Sequence, residues 1–209
     1  MKTREYQKAI THYRKALDLN PGAFALYYAL MSCHSLLDQI QEAIEAIEKY
    51  LEYVPGDPEA LASLGALKSK LPAGSAGDGA EELEQSMATD PESRVVPSML
   101  LDIYMENNQL EKIETMLKTY THLELHYLFQ FKLSQAFEHF GKLDEARASI
   151  IKFLEKYEYF FQNESLEANQ HNQPLFEEGI EQLKKLNGDP ALVQRFETAM
   201  NEGLNQPKE

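Results

Sequence analysis

The sequence predicts an all-α fold in which antiparallel helix pairs stack into an array, and three observations carry the prediction. Leu, Ala, Glu, Gln and Lys, which favour helices, fill the long stretches of the chain, while ten Gly and nine Pro sit mostly in short clusters between them. No segment shows sustained two-residue alternation bounded by turn residues, as a half-buried strand would. Finally, the chain repeats itself. Ala9, Tyr13, Ala16 and Pro21 recur 34 residues on as Ala43, Ile47, Tyr50 and Pro55, with Tyr50 the misfit, and the same step carries Tyr27, Leu30 and Met31 onto Leu61, Leu64 and Gly65. A second series, Tyr104, Ile113, Leu117 and Tyr120, recurs 33 residues on as Phe137, Ala146, Ile150 and Phe153. One helical hairpin cannot cover its own apolar stripe, so such a period implies neighbours that stack to bury it.

The elements follow in order. A helix over 3–19 interleaves apolar and charged residues and stops at Asn20-Pro21-Gly22. Helices over 24–37 and 40–53 form a pair that ends at Pro55-Gly56-Asp57-Pro58, and a helix over 58–71 follows. Where a tight turn is then expected, the insertion PAGSAGDG runs from Pro72 to Gly79, and the whole stretch from Pro72 to Ser93 carries six acids and no base. This is expected to be a solvated loop, with a docking or modification segment (Ser75, Ser86) as the alternative. A helix over 79–89 comes next. Helices over 95–106 and 109–121 flank Asn107-Asn108, and helices over 126–140 and 143–161 flank Gly141, with Asp144 and Glu145 at a helix N-terminus where the dipole favours acid.

From Gln162 to Gln173 the pattern stops and the polar composition reads as a linker. Pro174, placed at a helix start, and the Asp189-Pro190 pair then open helices over 174–186 and 190–204. Their apolar faces are Leu175, Phe176, Ile180 and Leu183, then Leu192, Val193, Phe196 and Met200, as a terminal cap of a repeat array requires. The expected organisation is therefore an array over 1–161, with an incomplete first repeat at 1–23 and repeats near 24–57, 58–93, 94–126 and 127–161. A linker and capping hairpin occupy 162–209.

The small residues Ala9, Ala43, Gly65 and Ala146, the plugs Tyr13, Ile47 and Ile150, and the closing Pro21 and Pro55 resemble the tetratricopeptide repeat, over about residues 1–160. The likeness is strong at Tyr6–Leu67 and Leu133–Phe153. It is weaker at 94–126, where Pro97 replaces an early helical aromatic and Ile113 a small residue. The resemblance implies a right-handed superhelical α-solenoid and a non-enzymatic scaffold whose first helices line a concave, peptide-binding groove. Here that groove would hold Tyr28, Ser32, Ala62, Ser63, Ala66, Ser98, Met99, Asp102, Met105, Phe131, Gln135 and Glu138. One subgroup of the family clamps a terminal carboxylate with Lys, Asn and Arg, but the matching positions, Tyr28, Ser32, Ser63, Val95 and Met99, supply no cation.

Charge and motif searches narrow the function further. A formal net charge of −14 repels phosphate backbones and anionic lipid surfaces, so neither nucleic acid nor membrane is an expected partner, and a protein or peptide with basic residues is. His122 and His126 are four apart, but the repeat register puts a turn between them and no Cys pair supports a zinc site, so no metal or other cofactor is expected. The lone Cys33 falls in an apolar helix and reads as a core thiol. No phosphate loop, nucleophile elbow or dinucleotide fingerprint occurs, and no enzyme is expected. The amphipathic N-terminus has no signal-peptide core and points to a cytoplasmic protein. The uncovered face of residues 5–19 is a candidate for self-association. The alternative reading is a structural or regulatory repeat domain excised from a larger, enzymatic protein.

Overall fold

The computed structural model describes residues 2–72 and 79–205, and every regular element among them is helical. Helix α1 (Lys2–Leu19) precedes the pair α2 (Ala25–Leu36) and α3 (Ile40–Tyr53). Then come α4 (Pro58–Lys68) and α5 (Ala80–Thr89), and α6 (Val96–Glu106) and α7 (Leu110–Thr119). A short 3-10 turn at Thr121–Leu125 leads to α8 (Tyr127–His139) and α9 (Leu143–Asn163), and α10 (Leu166–Lys185) and α11 (Pro190–Leu204) close the described chain. The chain divides into two compact units, residues 1–103 and 104–209, with the division inside α6.

Four of the pairs turn by the same device. Asp38, Asn108, Gly141 and Asn187 each have positive φ, between 53° and 72°. The residue after each one donates its N–H to a carbonyl five residues back: Gln39 to His34, Gln109 to Tyr104, Lys142 to Phe137 and Gly188 to Leu183, at 2.8–2.9 Å. This closure satisfies a carbonyl that the helix end leaves open, and Asn, Asp and Gly tolerate the left-handed backbone it requires. The α10–α11 turn thus repeats the geometry of the array's own turns.

In the N-terminal unit, α2 lies on α3 and α4 on α5, around a core of Ile10, Leu17, Leu30, Met31, Ile44, Ile47 and Leu64. The small positions act where the repeat register places them. Ala43 is fully buried, and a Cβ on Gly65 would stand 2.7 Å from the Gly79 carbonyl and from Leu83. Asp57 caps α4 by accepting from the N–H groups of Glu59 and Ala60 at 3.0 Å, with Pro58 at the first helical position. Residues 73–78, the centre of the PAGSAGDG insertion, lie outside the described residues.

In the C-terminal unit, α8 lies on α9, and α9 also carries both α10 and α11. Ala146, Ile150, Phe153, Phe161, Phe176 and Phe196 are all fully buried there. The expected linker is corrected here: residues 166–173 are the first half of α10, and Pro174 stands inside that helix, not at its start. The helix begins at Ser165, whose hydroxyl accepts from the Ala168 N–H at 3.3 Å. Pro174 and Gln170 are both exposed, so the Gln170 carbonyl that loses its helical donor faces water. The stretch is polar because most of it is surface.

Its one fully buried residue is Asn169. The side-chain amide donates to the Phe161 carbonyl at 3.1 Å and to the Gly203 carbonyl at 3.2 Å. Both carbonyls lie in the last turn of their helices, where the helix itself supplies no N–H donor. Gly203 permits this approach, since a Cβ there would meet the Phe161 oxygen at 2.5 Å. Arg147 donates in a similar way to the carbonyl of Leu186 at the end of α10, at 3.0 Å, and Arg195 grips Glu158 through both carboxylate oxygens.

Candidate functional site

Eight of the groove residues named from the sequence belong to the N-terminal unit and four to the C-terminal unit. On α2, Tyr28 is half-buried and meets the edge of Tyr50 at 5.4 Å between ring centroids. Tyr50 is itself fixed, its hydroxyl donating to the Asp57 carboxylate at 2.8 Å, and that bond raises the phenol pKa above its ordinary value. One turn on from Tyr28, Ser32 donates to the Tyr28 carbonyl at 3.1 Å, which leaves its oxygen able to accept. Ala62, Ser63 and Ala66 on α4 are half-buried, as are Ser98, Met99 and Asp102 on α6. The alternating positions Leu30, Met31, Leu64 and Gly65 are buried, so each helix presents one covered and one partly open face.

In the C-terminal unit Met105 is half-buried and Phe131 is core. Phe131 is 9% exposed and its ring lies 4.9 Å from that of Phe153, so it packs α8 onto α9 and is not an open anchor. Gln135 and Glu138 come together in a recess completed by Glu178, Glu181, Gln182 and Lys185 of α10. Glu138 is ion-paired with Lys185 at 2.6 Å. The Gln182 amide nitrogen is buried there without a hydrogen-bond partner.

The sequence reading missed an aromatic cluster where α2 begins and α3 ends. Phe24 and Tyr53, 40% and 48% exposed, stack at 5.8 Å, and Tyr27 stacks on Tyr53 at 6.3 Å. The Tyr53 hydroxyl reaches back to the Pro21 carbonyl at 3.3 Å. A signal was present, since aromatics stand three apart at both ends of the pair (24 and 27, 50 and 53). The contribution of α10 to the recess beside Glu138 had no such signal, because it depends on how the hairpin docks.

Among the described residues no cluster of three His, Cys, Asp or Glu side chains is placed to hold a metal. His122 and His126 meet edge to face with centroids 6.1 Å apart, and Cys33 is buried, which pushes its thiol pKa up and away from a reactive thiolate. No helix of the described residues is long and apolar enough to cross a membrane.

Paired helices with a small-and-large register repeated every 33 or 34 residues define a helical-repeat fold of the tetratricopeptide type. Residues 1–68 match the tetratricopeptide repeat profile. No curated protein matches the chain. Among solved structures, the crystal structure of MamA is similar with a TM-score of 0.65 at 19% identity, over 76% of this chain and 92% of that one. YrrB, a TPR protein with an unusual peptide-binding site, is similar with a TM-score of 0.56 at 17% identity, over 89% and 97%. A tetratricopeptide repeat protein from Parabacteroides merdae ATCC 43184 gives 0.54 at 13% identity, over 96% and 79%. These likenesses establish the fold.

Proposed function

We propose that the chain is a non-enzymatic interaction scaffold that holds a segment of a partner protein against the open faces of its first helices, α2, α4 and α6. The observation that carries this reading is the half-open row Tyr28, Ser32, Ser63, Ala66 and Met99 beside a fully covered row on the same helices. Small side chains give a ligand backbone room, the serine oxygens offer hydrogen bonds, and Tyr28 and Met99 offer adaptable apolar area. The peptide-binding site of YrrB, a protein of similar fold, supports the same reading.

A basic ligand suits the net charge of −14. In the C-terminal unit a basic ligand would compete with Lys185 for Glu138. Self-association through α1 is less well supported, because two copies would bring Arg4, Lys8, Arg14 and Lys15 against their own kind.

Selection of binders from a random peptide library on the immobilised chain tests the proposal. Selected peptides should be enriched in Lys and Arg, and Ser63→Arg with Ala66→Arg should weaken them about tenfold by filling the row with bulk and like charge. The thermal midpoint should stay near the wild-type value, since both sites are half-exposed. Peptides that bind both proteins equally would place the binding surface elsewhere.

A further inference from the structure

Helix α1 is chemically unlike the rest of the chain. Lys2–Leu19 holds five basic and two acidic residues, whereas the remaining sequence holds fifteen basic and thirty-two acidic ones. Among the described residues none of Arg4, Lys8, Arg14 and Lys15 makes an ion pair. The helix is also incompletely covered. In the repeat register Ala9 and Tyr13 correspond to Ala43 and Ile47 on α3 and lie at the same step as Ala146 and Ile150 on α9. Those four residues are 0% exposed, because α2 lies on α3 and α8 lies on α9. On α1 the packing on α2 buries Ile10 and Leu17, while Tyr6, Ala9, Tyr13 and Ala16 remain half-open.

We propose that this face of α1 seats an acidic amphipathic helix of a partner protein, docked as α2 docks on α3. The repeat itself specifies the geometry, since positions that elsewhere receive the first helix of a pair are here partly unfilled. Charge specifies the occupant. At 100° per residue, Lys8, His12 and Lys15 fall on the outer side of Ala9 and Ala16, with Glu5 the one acid beside them, so a docked helix runs along a mainly basic rim. Acids on that helix gain pairing, and the α1 of a second copy meets repulsion instead. This site is separate from the α2–α4–α6 faces, and either proposal can fail without the other.

The test uses the full chain and two labelled, end-capped synthetic helices. Both keep the α2 pattern of Tyr27, Leu30, Met31 and His34 and differ only in carrying glutamate or lysine at the flanking positions. In fluorescence anisotropy at low salt the glutamate helix should bind about tenfold tighter than the lysine helix, and the gap should shrink as added salt shortens the screening length. Ala9→Glu with Ala16→Glu should remove binding of the glutamate helix. Lys8→Glu with Lys15→Glu should weaken the glutamate helix while sparing the lysine one. Circular dichroism verifies that each variant keeps its helicity, and the charge-reversal pair, on exposed positions, serves if the alanine pair unfolds. Equal affinity for the two helices overturns the proposal, as does binding that survives in both variants. A dimer seen by sedimentation that Ala9→Glu dissociates and the glutamate helix cannot compete away overturns it too, by making a second copy the occupant.

Discussion

Replacing Asn169 by Ala removes one side chain that two helix ends share. Its amide donates to Phe161 and Gly203, so the substitution deletes two hydrogen bonds and leaves both carbonyls without their side-chain donor. A hydrogen bond contributes about 1 kcal/mol net, a stranded buried polar group costs about 1–3 kcal/mol, and the vacated side-chain volume adds to the loss. A destabilisation of about 2–4 kcal/mol follows. The assay is urea unfolding followed by circular dichroism at the helix band, because the chain has no tryptophan. Since the Asn169 side chain ties α10 to α9 and α11, the loss should fall on the packing of these three helices. The exposed neighbour Gln170, changed to Ala, should move the midpoint by less than about 0.5 kcal/mol. Asn169→Asp should be worse than Ala near neutral pH, because a buried carboxylate would face two carbonyl oxygens. Indistinguishable curves for Asn169→Ala and Gln170→Ala would refute the reasoning and return residues 166–173 to the status of a linker.

Other outcomes follow from packing and burial. Ala146, fully buried, should lose about 1–3 kcal/mol on replacement by Leu, while the exposed Ala148→Leu should be close to neutral; chemical unfolding of the pair checks the register. Gly179→Ala sets about 1 kcal/mol of helix propensity against a Cβ placed 2.5 Å from Phe153 and 2.9 Å from Leu154, and the clash should win. Gly56→Ala, with nothing within 4 Å, should not destabilise, so matched midpoints for the two glycine variants would count against the close α9–α10 crossing. Burial pushes the Tyr157 phenol up to about 12, with Tyr127 adding to the rise. The unfolded phenol ionises near 10 and the folded one does not, so its contribution is intact below about pH 10 and is lost as pH rises from there to about 12. A stability profile across that window should flatten in Tyr157→Phe.

Much of the fold was legible because the determinants are local and recur. Helix 40–53 matches α3 at both ends, and the turns at Asn107-Asn108 and Gly141 close through residues that tolerate a left-handed backbone. The repeat step correctly marked Ala43, Ile47, Ala146 and Ile150 as buried. Composition misled at 162–173, where a mostly exposed helix contains a proline, and a single buried asparagine carries its tertiary role. The site was less legible than the fold. Phe131 and Tyr28 both appear in the sequence as aromatics on first helices, yet only the docking of α9 on α8 shows that the first is core. Lys185 sits 47 residues beyond Glu138, a pairing no local pattern announces.

The closure of α4 against α5 rests on contacts made by residues on either side of positions 73–78. Gly65 abuts Gly79 and Leu83, Lys68 pairs with Glu82 at 2.6 Å, and the Ser86 hydroxyl donates to the Pro58 carbonyl at 2.7 Å. The two helices are therefore registered by their own surfaces, and lengthening the connection between Pro72 and Gly79 costs only the slowly growing entropy of a larger loop. For protein engineering this makes the PAGSAGDG segment a natural cloning point. An epitope or a fluorescent domain can be introduced there while both ends of the chain, the basic helix α1 and the Asn169 clasp stay as they are.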